Sequence, residues 1–309
     1  MAQSSRFFYG EKKLLASKKM KTEAVPGSAV TSSSQEVKVK LVKDDSTKGI
    51  HISRPTPLEC YQATKHLAVL HPHIVEQNSA RRLKSERNAV LDMVINTMLS
   101  QNTTDKLTRT AFANLKAAFP TWGEVVGDVT RAEDPDLEKK IEDAIHIAGL
   151  AKTRAQRIRS LVRTLAEEQQ SQEPSLEHLR DMSSDAIKAE LQRFKGIGPK
   201  TISCVLLFAL LRPDFPVDTH VLRISKMLKW VPSSATRESA YGHLNQMVPD
   251  EVKMDLHCLL VTHGKHCHRC AANGKPQFPP KDGTKLDCPF VCSKCFVEGK
   301  IVPVKVESM

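Results

Sequence analysis

Apolar residues recur along most of the chain at the spacing that places them on one face of an α-helix. One example is the stretch NAVLDMVINTMLSQ, where the apolar positions are Leu91, Val94, Ile95, Met98 and Leu99. A period near 3.6 residues marks an amphipathic helix, whereas a half-buried strand alternates at every second residue. Because no convincing pair of alternating strands and no solenoid-length repeat is present, the pattern predicts an all-α fold.

Polar residues, glycines and prolines divide the periodic stretches and set the predicted helix ends. Asp105 can cap a helix that stops before Pro120, and residues 121–124 fit a capping box. Gly149 closes one helix, and Asp218 or Thr219 can cap another. The predicted helices cover residues 105–119, 136–147, 184–194, 201–211, 219–230, 233–247 and 252–263.

Length and composition fit one or two domains with a substantial core, since the chain has 309 residues of which 40% are hydrophobic. Residues 1–55 are rich in Ser, Lys, Thr and Val without a helical period, which predicts a disordered basic tail. The longest apolar stretch, residues 205–211, is far shorter than the roughly 18 residues of a membrane span. We therefore expect no membrane partner, and the amino terminus has no secretory signal pattern.

The positive charge is concentrated near both ends of the chain. Residues 1–50 hold ten Lys/Arg and five Asp/Glu, and residues 257–309 hold eight and four, giving +5 and +4 of the net +11. Basic ends fit a polyanion such as DNA, and the alternative is that they only maintain solubility. The Lys-rich stretches also suggest a nuclear protein, with a mitochondrial presequence as the alternative.

The stretch FKGIGPKT forms a tight turn between two predicted helices. Gly196 and Gly198 allow the backbone to turn and to approach a partner closely. With Ile197 between them, the N–H groups that open the next helix can bind phosphate without reading sequence. The pattern favours a helix–hairpin–helix DNA clamp, and the alternative is an ordinary turn between two helices.

Lys200 and Asp218 are the candidates for chemistry near this turn. A lysine in the first turn of a helix is unfavourable for the helix dipole, and partial desolvation there makes its amine easier to deprotonate. A neutral amine can act as a nucleophile and form a Schiff base. Asp218 lies eighteen positions later, after one apolar helix that returns the chain to the same side. Phosphate contact and simple N-capping are the alternatives for the two residues.

FKGIGPKT followed by FPVDTHV resembles the signature of the helix–hairpin–helix base-excision DNA glycosylases, the endonuclease III-like superfamily. VINTMLSQNTTD and DLHCLLVTHGKHC extend the resemblance, so that it covers about residues 88–267. It implies two helical subdomains around a cleft: residues 56–102 with 216–265, and residues 103–215. A Cys-rich tail over residues 266–309 follows.

The same resemblance implies the functional residues. Lys200 matches the catalytic lysine of members that are both glycosylase and AP lyase, and Asp218 matches the essential aspartate. Gln101 and Asn102 match the polar wedge or orphan-base contact, with a helix cap and turn as the alternative. The implied partner is double-stranded DNA with a damaged or modified base, bound by a monomer.

The resemblance therefore implies an enzyme that flips a base from the duplex, excises it through a Schiff base and nicks the strand. An oxidised pyrimidine is the expected substrate. The alternatives are 5-methylcytosine, mismatched thymine or oxidised guanine, and a helix–hairpin–helix protein that binds DNA without catalysis.

Five cysteines near the carboxyl end suggest a metal site, namely Cys267, Cys270, Cys288, Cys292 and Cys295. Family members that carry an iron–sulfur cluster space four cysteines as C-x6-C-x2-C-x5-C, and this chain departs from that spacing. Four of the five form CxxC-x21-CxxC, which suggests structural zinc. A displaced [4Fe–4S] cluster and free thiols remain the alternatives, and the proposed chemistry requires no metal.

Overall fold

The structure, a computed structural model, describes residues 54–84, 89–128, 134–279 and 285–290. All regular secondary structure in these residues is helical, which confirms the predicted all-α class. The predicted tail lies outside the described residues except for its last two positions. The α-helices are α1 (Pro57–Leu70), α2 (Pro72–Lys84), α3 (Val90–Leu99), α4 (Asp105–Ala118), α5 (Trp122–Val126), α6 (Pro135–Ile145), α7 (Ala151–Gln169), α8 (Ser184–Gln192), α9 (Pro199–Cys204), α10 (Thr219–Met227), α11 (Arg237–Met247) and α12 (Lys253–His266).

The apolar faces of these helices form two hydrophobic cores. The first core takes its residues from α3 to α9, their connections, and the π-helical segment Val205–Ala209 that continues α9. The second core takes its residues from α1, α10, α11 and α12 and from the cysteine segment after α12. The stripe predicted from Leu91 to Leu99 is buried, because its residues face α4, α7 and α9.

The position of α3 differs from the subdomain division expected from the sequence. That division groups α3 with α1, yet the buried face of α3 lies in the first core with α4 to α9. The cysteine segment also differs, since Cys267, Cys270 and Cys288 belong to the second core. We therefore propose that the subdomain boundary lies between α2 and α3, and that the described part of the cysteine segment belongs to the second subdomain.

A buried polar cluster around Asp214 connects the two cores. The Asp214 carboxylate accepts hydrogen bonds from the hydroxyl of Ser203 in α9 and from the hydroxyl of Tyr241 in α11, the latter at 3.0 Å. Lys188 in α8 places its Nζ 3.6 Å from the same carboxylate. Asp214 is almost fully buried, so these partners compensate the cost of removing its charge from water.

Two predicted helix starts are wrong in detail. Thr104, rather than Asp105, caps α4, because its hydroxyl accepts the Leu107 N–H at 3.3 Å. The capping box predicted for residues 121–124 does not form. Instead, the Glu173 carboxylate accepts the N–H groups of Trp122 and Gly123, each at 3.0 Å.

The helical run that follows the hairpin also begins and ends two residues earlier than predicted. It begins at Pro199, and its α-helical part ends at Cys204, where the chain widens into the π-helical segment. Proline at this first position requires no backbone N–H and has the φ angle that a helix needs. Among the described residues, no helix combines the length and apolarity needed to cross a membrane.

Candidate active site

The two glycines of the hairpin meet different requirements. Gly196 has a φ of +93°, which side-chain-bearing residues rarely adopt, and an added Cβ would lie 2.6 Å from Cδ of Arg157. Gly198 is the N-cap of α9 with a φ of −97°, and an added Cβ would meet nothing within 4 Å. Ile197 between them is buried in the first core. The hairpin is thus anchored at Ile197 and open at Gly198.

The turn after α3 is attached to this hairpin through Gln101. Its Nε2 donates to the carbonyl of Gly196 at 3.0 Å and to the hydroxyl of Thr201 at 3.1 Å. The backbone carbonyl of Gln101 accepts a hydrogen bond from the Arg154 guanidinium. The next residue, Asn102, is exposed and has a φ of +53°. The two candidate wedge residues therefore differ, since the Gln101 side chain hydrogen-bonds the hairpin and Asn102 is exposed to solvent.

Lys200 and Asp218 lie at the starts of two helices from different cores. Lys200 is exposed in the first turn of α9, two residues after Gly198. Asp218 is the N-cap of α10, and its Oδ1 accepts the Val221 N–H at 2.8 Å. Within the described residues, the other oxygen of Asp218 makes no hydrogen bond. The cap fixes the carboxylate while leaving this oxygen available for a reaction.

Lys200 and Asp218 both influence the pKa values of two buried groups, Cys204 and His257. Burial raises the pKa of the Cys204 thiol, the Lys200 charge opposes this rise, and the Asp218 charge adds to it. Burial lowers the pKa of His257 to about 4, against the Asp218 charge and with the Lys200 charge. The two charges thus act in opposite directions on both groups, and burial is the largest cause of each shift.

His257 supports the segment that leads into Asp218. Its Nδ1 lies 2.8 Å from the carbonyl of Pro216, and its ring contacts Phe208 and Phe215 with centroid separations of 5.7 and 6.2 Å. The sequence gives only a weak signal for this residue, since a lone histidine in a helix is more often structural.

Arg223 and His220 are structural in this arrangement. Arg223 in α10 donates from Nε to the carbonyl of Cys270 at 2.8 Å and from Nη2 to that of Gly264 at 3.2 Å. Its Nη2 also lies 2.9 Å from Nδ1 of His220. These contacts tie the helix that begins at Asp218 to α12 and to the cysteine segment.

Three of the five predicted metal-binding cysteines come together in the structure. The side chains of Cys267, Cys270 and Cys288 meet His263, and their four possible ligand atoms all lie within 4.8 Å of one another. All four residues are buried. Cys292 and Cys295 lie outside the described residues. His263 was not predicted as a possible ligand, although it precedes Cys267 by one helical turn.

The chain is similar to known proteins at the level of family, sequence and structure. The model of the HhH-GPD superfamily base excision DNA repair proteins matches residues 95–250. A protein of Arabidopsis thaliana named "Putative DNA glycosylase" is 43% identical over 262 residues, which are 77% of this chain and 85% of that protein. Endonuclease III of Sulfolobus acidocaldarius is 32% identical over 178 residues, or 57% of this chain and 73% of the relative.

A further sequence relative is named DNA glycosylase/AP lyase ROS1, from Arabidopsis thaliana. It is 31% identical over 162 residues, covering 44% of this chain and 12% of that longer protein. Among solved structures, a trapped covalent endonuclease III–DNA intermediate has a TM-score of 0.54 at 22% identity. The match covers 72% of this chain and 91% of that one. A thermostable thymine-DNA glycosylase has a TM-score of 0.53 at 16% identity, with coverages of 71% and 91%. Both show the same fold.

Proposed function

The chain belongs to the HhH-GPD superfamily of base excision DNA repair proteins, and on that premise we propose that it is a DNA glycosylase that also has AP-lyase activity. The observation that carries the proposal is the position of the two groups: Lys200 is exposed in the first turn of α9 beside the hairpin, and Asp218 is the N-cap of α10, both within the residues that the superfamily model matches. An amine and a carboxylate that can take its proton are what nucleophilic excision of a base requires.

The proposed reaction begins with DNA held at the hairpin and one nucleotide rotated out of the duplex. Gly198 supports this step because its open side lets a phosphate approach the backbone. Asn102 is the proposed wedge that fills the space left by the base, since it is exposed beside the hairpin. Gln101 is proposed to hold the two DNA-contacting loops together through its bonds to Gly196 and Thr201.

The covalent step follows from the chemistry of the two groups. Asp218 takes a proton from the Lys200 ammonium, and the free amine attacks C1′ of the deoxyribose. The N–C1′ bond forms as the glycosidic bond breaks, and the base leaves with the bonding electrons and gains a proton. The sugar ring opens to a Schiff base, loss of a C2′ proton expels the 3′ phosphate, and water releases the enzyme.

Borohydride trapping tests Lys200 as the nucleophile. Reduction of the Schiff base leaves the protein attached to lesion-containing DNA, so wild type gives a covalent adduct and Lys200→Gln gives none. Lys195→Gln is the matched control, because Lys195 is an exposed lysine of the same hairpin. Adducts that persist in Lys200→Gln but not in Lys195→Gln remove Lys200 from this role.

Asp218→Asn separates the catalytic role of the carboxylate from its capping role. Asparagine is as good an N-cap as aspartate, so the unfolding free energy changes by less than about 0.5 kcal/mol. We expect the single-turnover excision rate to fall by about a hundredfold or more, because proton transfer is lost. An unchanged rate would leave Asp218 with the cap alone.

The proposed substrate is an oxidised pyrimidine, with oxidised guanine, mismatched thymine and 5-methylcytosine as the competing bases. Duplexes that each carry one such base, incubated with excess enzyme, identify the base that is released. Release of none of them, together with salt-sensitive DNA binding, favours the alternative of a DNA-binding protein without catalysis.

We further propose a nuclear monomer that acts on double-stranded DNA, with mitochondria as the alternative location. The Lys-rich residues 1–50 support import and DNA contact. A fluorescent fusion with and without these residues tests the location. The cysteine group is proposed to hold a metal, either a [4Fe–4S] cluster or zinc, in a structural role.

A further inference from the structure

A buried group of four potential ligands closes the end of α12. His263 and Cys267 lie one helical turn apart, and Cys270 follows in a turn held by the Ala271 N–H, which donates to the Cys267 carbonyl at 2.8 Å. Cys288 reaches the same point from residues 285–290. From this group we infer that His263, Cys267, Cys270 and Cys288 form a closed structural site for one zinc ion.

Two of the distances between the ligand atoms have the values expected for a single ion. Zinc bonds of about 2.3 Å to sulfur and about 2.0 Å to nitrogen, in a tetrahedron, place sulfurs about 3.8 Å apart and nitrogen about 3.5 Å from sulfur. In the structure Sγ of Cys270 lies 3.6 Å from Sγ of Cys288, and Nε2 of His263 lies 3.4 Å from Sγ of Cys288. Both separations match the edges of such a tetrahedron.

The same distances do not fit the iron–sulfur cluster that the family resemblance implies. In a [4Fe–4S] cluster each thiolate binds a different iron, so the body of the cluster lies between any two of the sulfurs. Sulfurs in van der Waals contact leave no room for it. One ligand atom here is an imidazole nitrogen, and the cysteine spacing also departs from C-x6-C-x2-C-x5-C. Three thiolates and one imidazole are instead a common set for structural zinc.

The surroundings of His263 give independent support for its role as a ligand. Metal-bound histidines usually donate their second ring N–H to a neighbouring acceptor, which fixes the ring orientation. Nδ1 of His263 lies 3.1 Å from Nε2 of buried His71, and Nε2 faces Cys288. The Phe290 ring packs edge-on against the imidazole at a centroid distance of 5.7 Å. The ring is therefore oriented with one nitrogen for the ion and the other for His71.

Zinc binding at this site has a defined proton balance. Each of the three thiols loses its proton when its sulfur bonds the ion, while neutral His263 binds through its Nε2 lone pair. Three thiolates and Zn²⁺ leave the site with one net negative charge. The Arg223 guanidinium lies close to this charge, because it donates to the carbonyl of Cys270.

Metal analysis of the full-length chain tests the assignment without reference to enzyme activity. Protein produced in medium containing both iron and zinc should carry about one zinc per chain and neither iron nor acid-labile sulfide. Iron and sulfide at about four each per chain would overturn the inference in favour of a cluster. Protein without metal after purification under reducing conditions would overturn it as well.

Two variants distinguish the proposed ligands from the CxxC-x21-CxxC alternative. The double variant Cys292→Ser with Cys295→Ser keeps all four proposed ligands and should retain the zinc of wild type. Cys288→Ser removes the cysteine that only the proposed set contains, and it should release the zinc to a chelator during dialysis. Loss of zinc in the double variant, or retention of zinc in Cys288→Ser, would overturn the assignment.

His263→Cys tests the histidine while keeping four ligands. This variant should still bind about one zinc. With Co²⁺ in place of zinc, its spectrum should gain thiolate-to-cobalt charge-transfer intensity relative to wild type, because one more sulfur binds the ion. An unchanged cobalt spectrum would show that position 263 is not a ligand. These tests are independent of the proposed glycosylase activity, since neither the metal content nor the cobalt spectrum depends on catalysis.

Discussion

At the scale of single residues, the hairpin contains one glycine that the fold requires and one that we propose contacts DNA. Gly196→Ala should lower the free energy of unfolding by about 1–2 kcal/mol, because alanine is strained at positive φ. Gly198→Ala should change it by less than about 0.5 kcal/mol, since Gly198 has an ordinary φ and open space. Gly198→Ala should nevertheless weaken DNA binding about tenfold, equivalent to ~1.4 kcal/mol, because the methyl group obstructs the phosphate.

Chemical denaturation and fluorescence anisotropy with a short duplex measure these two effects separately. Gly242→Ala provides a control, because Gly242 lies in α11 and also has open space around its position. If Gly198→Ala binds DNA like the control, the hairpin backbone does not contact the phosphates.

The low pKa of buried His257 predicts how the stability of the protein depends on pH. Its pKa is about 4 in the folded protein because it is buried, whereas an unfolded histidine titrates near about 6.5. As pH falls from about 6.5 towards about 4, His257 takes up a proton in the unfolded chain but stays neutral in the folded chain. In this range His257 should lower the free energy of unfolding by up to about 1.4 kcal/mol for each unit by which pH falls. The stability of the neutral, buried His257 is fully present only above its unfolded pKa of about 6.5.

His257→Asn removes this titration while its side-chain amide can still donate to the Pro216 carbonyl. Urea unfolding at several pH values should give a shallower loss of stability below pH ~6.5 for the variant than for wild type. Parallel curves for the two proteins would show that His257 is not the group responsible.

At the scale of elements, Arg223 connects the helix that carries Asp218 to the cysteine segment. Arg223→Lys keeps the charge but cannot reach the carbonyls of Cys270 and Gly264 together, because an ammonium lacks the planar fork of a guanidinium. We expect the free energy of unfolding to fall by about 1.5–3 kcal/mol, as for a lost hydrogen bond to a charged group. Arg237→Lys is the control, since Arg237 is exposed on α11.

The elements also show how far the sequence alone predicts this fold. The apolar period of residues 91–99 predicted a buried helix correctly, because burial of one face is a local pattern. The cap of α5 could not be predicted, since its acceptor Glu173 lies 51 residues from Trp122 in sequence. His263 and Cys288 likewise come together only through folding, since they lie 25 positions apart in sequence. Local periodicity predicts helices, and tertiary contacts decide caps and ligand sets.

At the scale of the whole molecule, the charge distribution predicts where non-specific affinity for DNA arises. Residues 51–256 hold 28 Lys/Arg and 26 Asp/Glu, which is only +2, whereas residues 1–50 carry +5 of the total. The part that contains Lys200 and Asp218 therefore attracts the phosphate backbone weakly. Most of the counterion release on binding should come from the ends of the chain.

Replacing residues 1–50 with a neutral linker of equal length tests this distribution. The slope of log K against log salt should become less negative by about 0.9 for each phosphate contact that is lost, and affinity at physiological salt should fall accordingly. The single-turnover excision rate at saturating enzyme should stay unchanged, because the reacting groups lie outside the replaced segment. An equal salt slope in both proteins would place the phosphate contacts in the helical part of the chain, so that the hairpin rather than the net charge would account for DNA affinity.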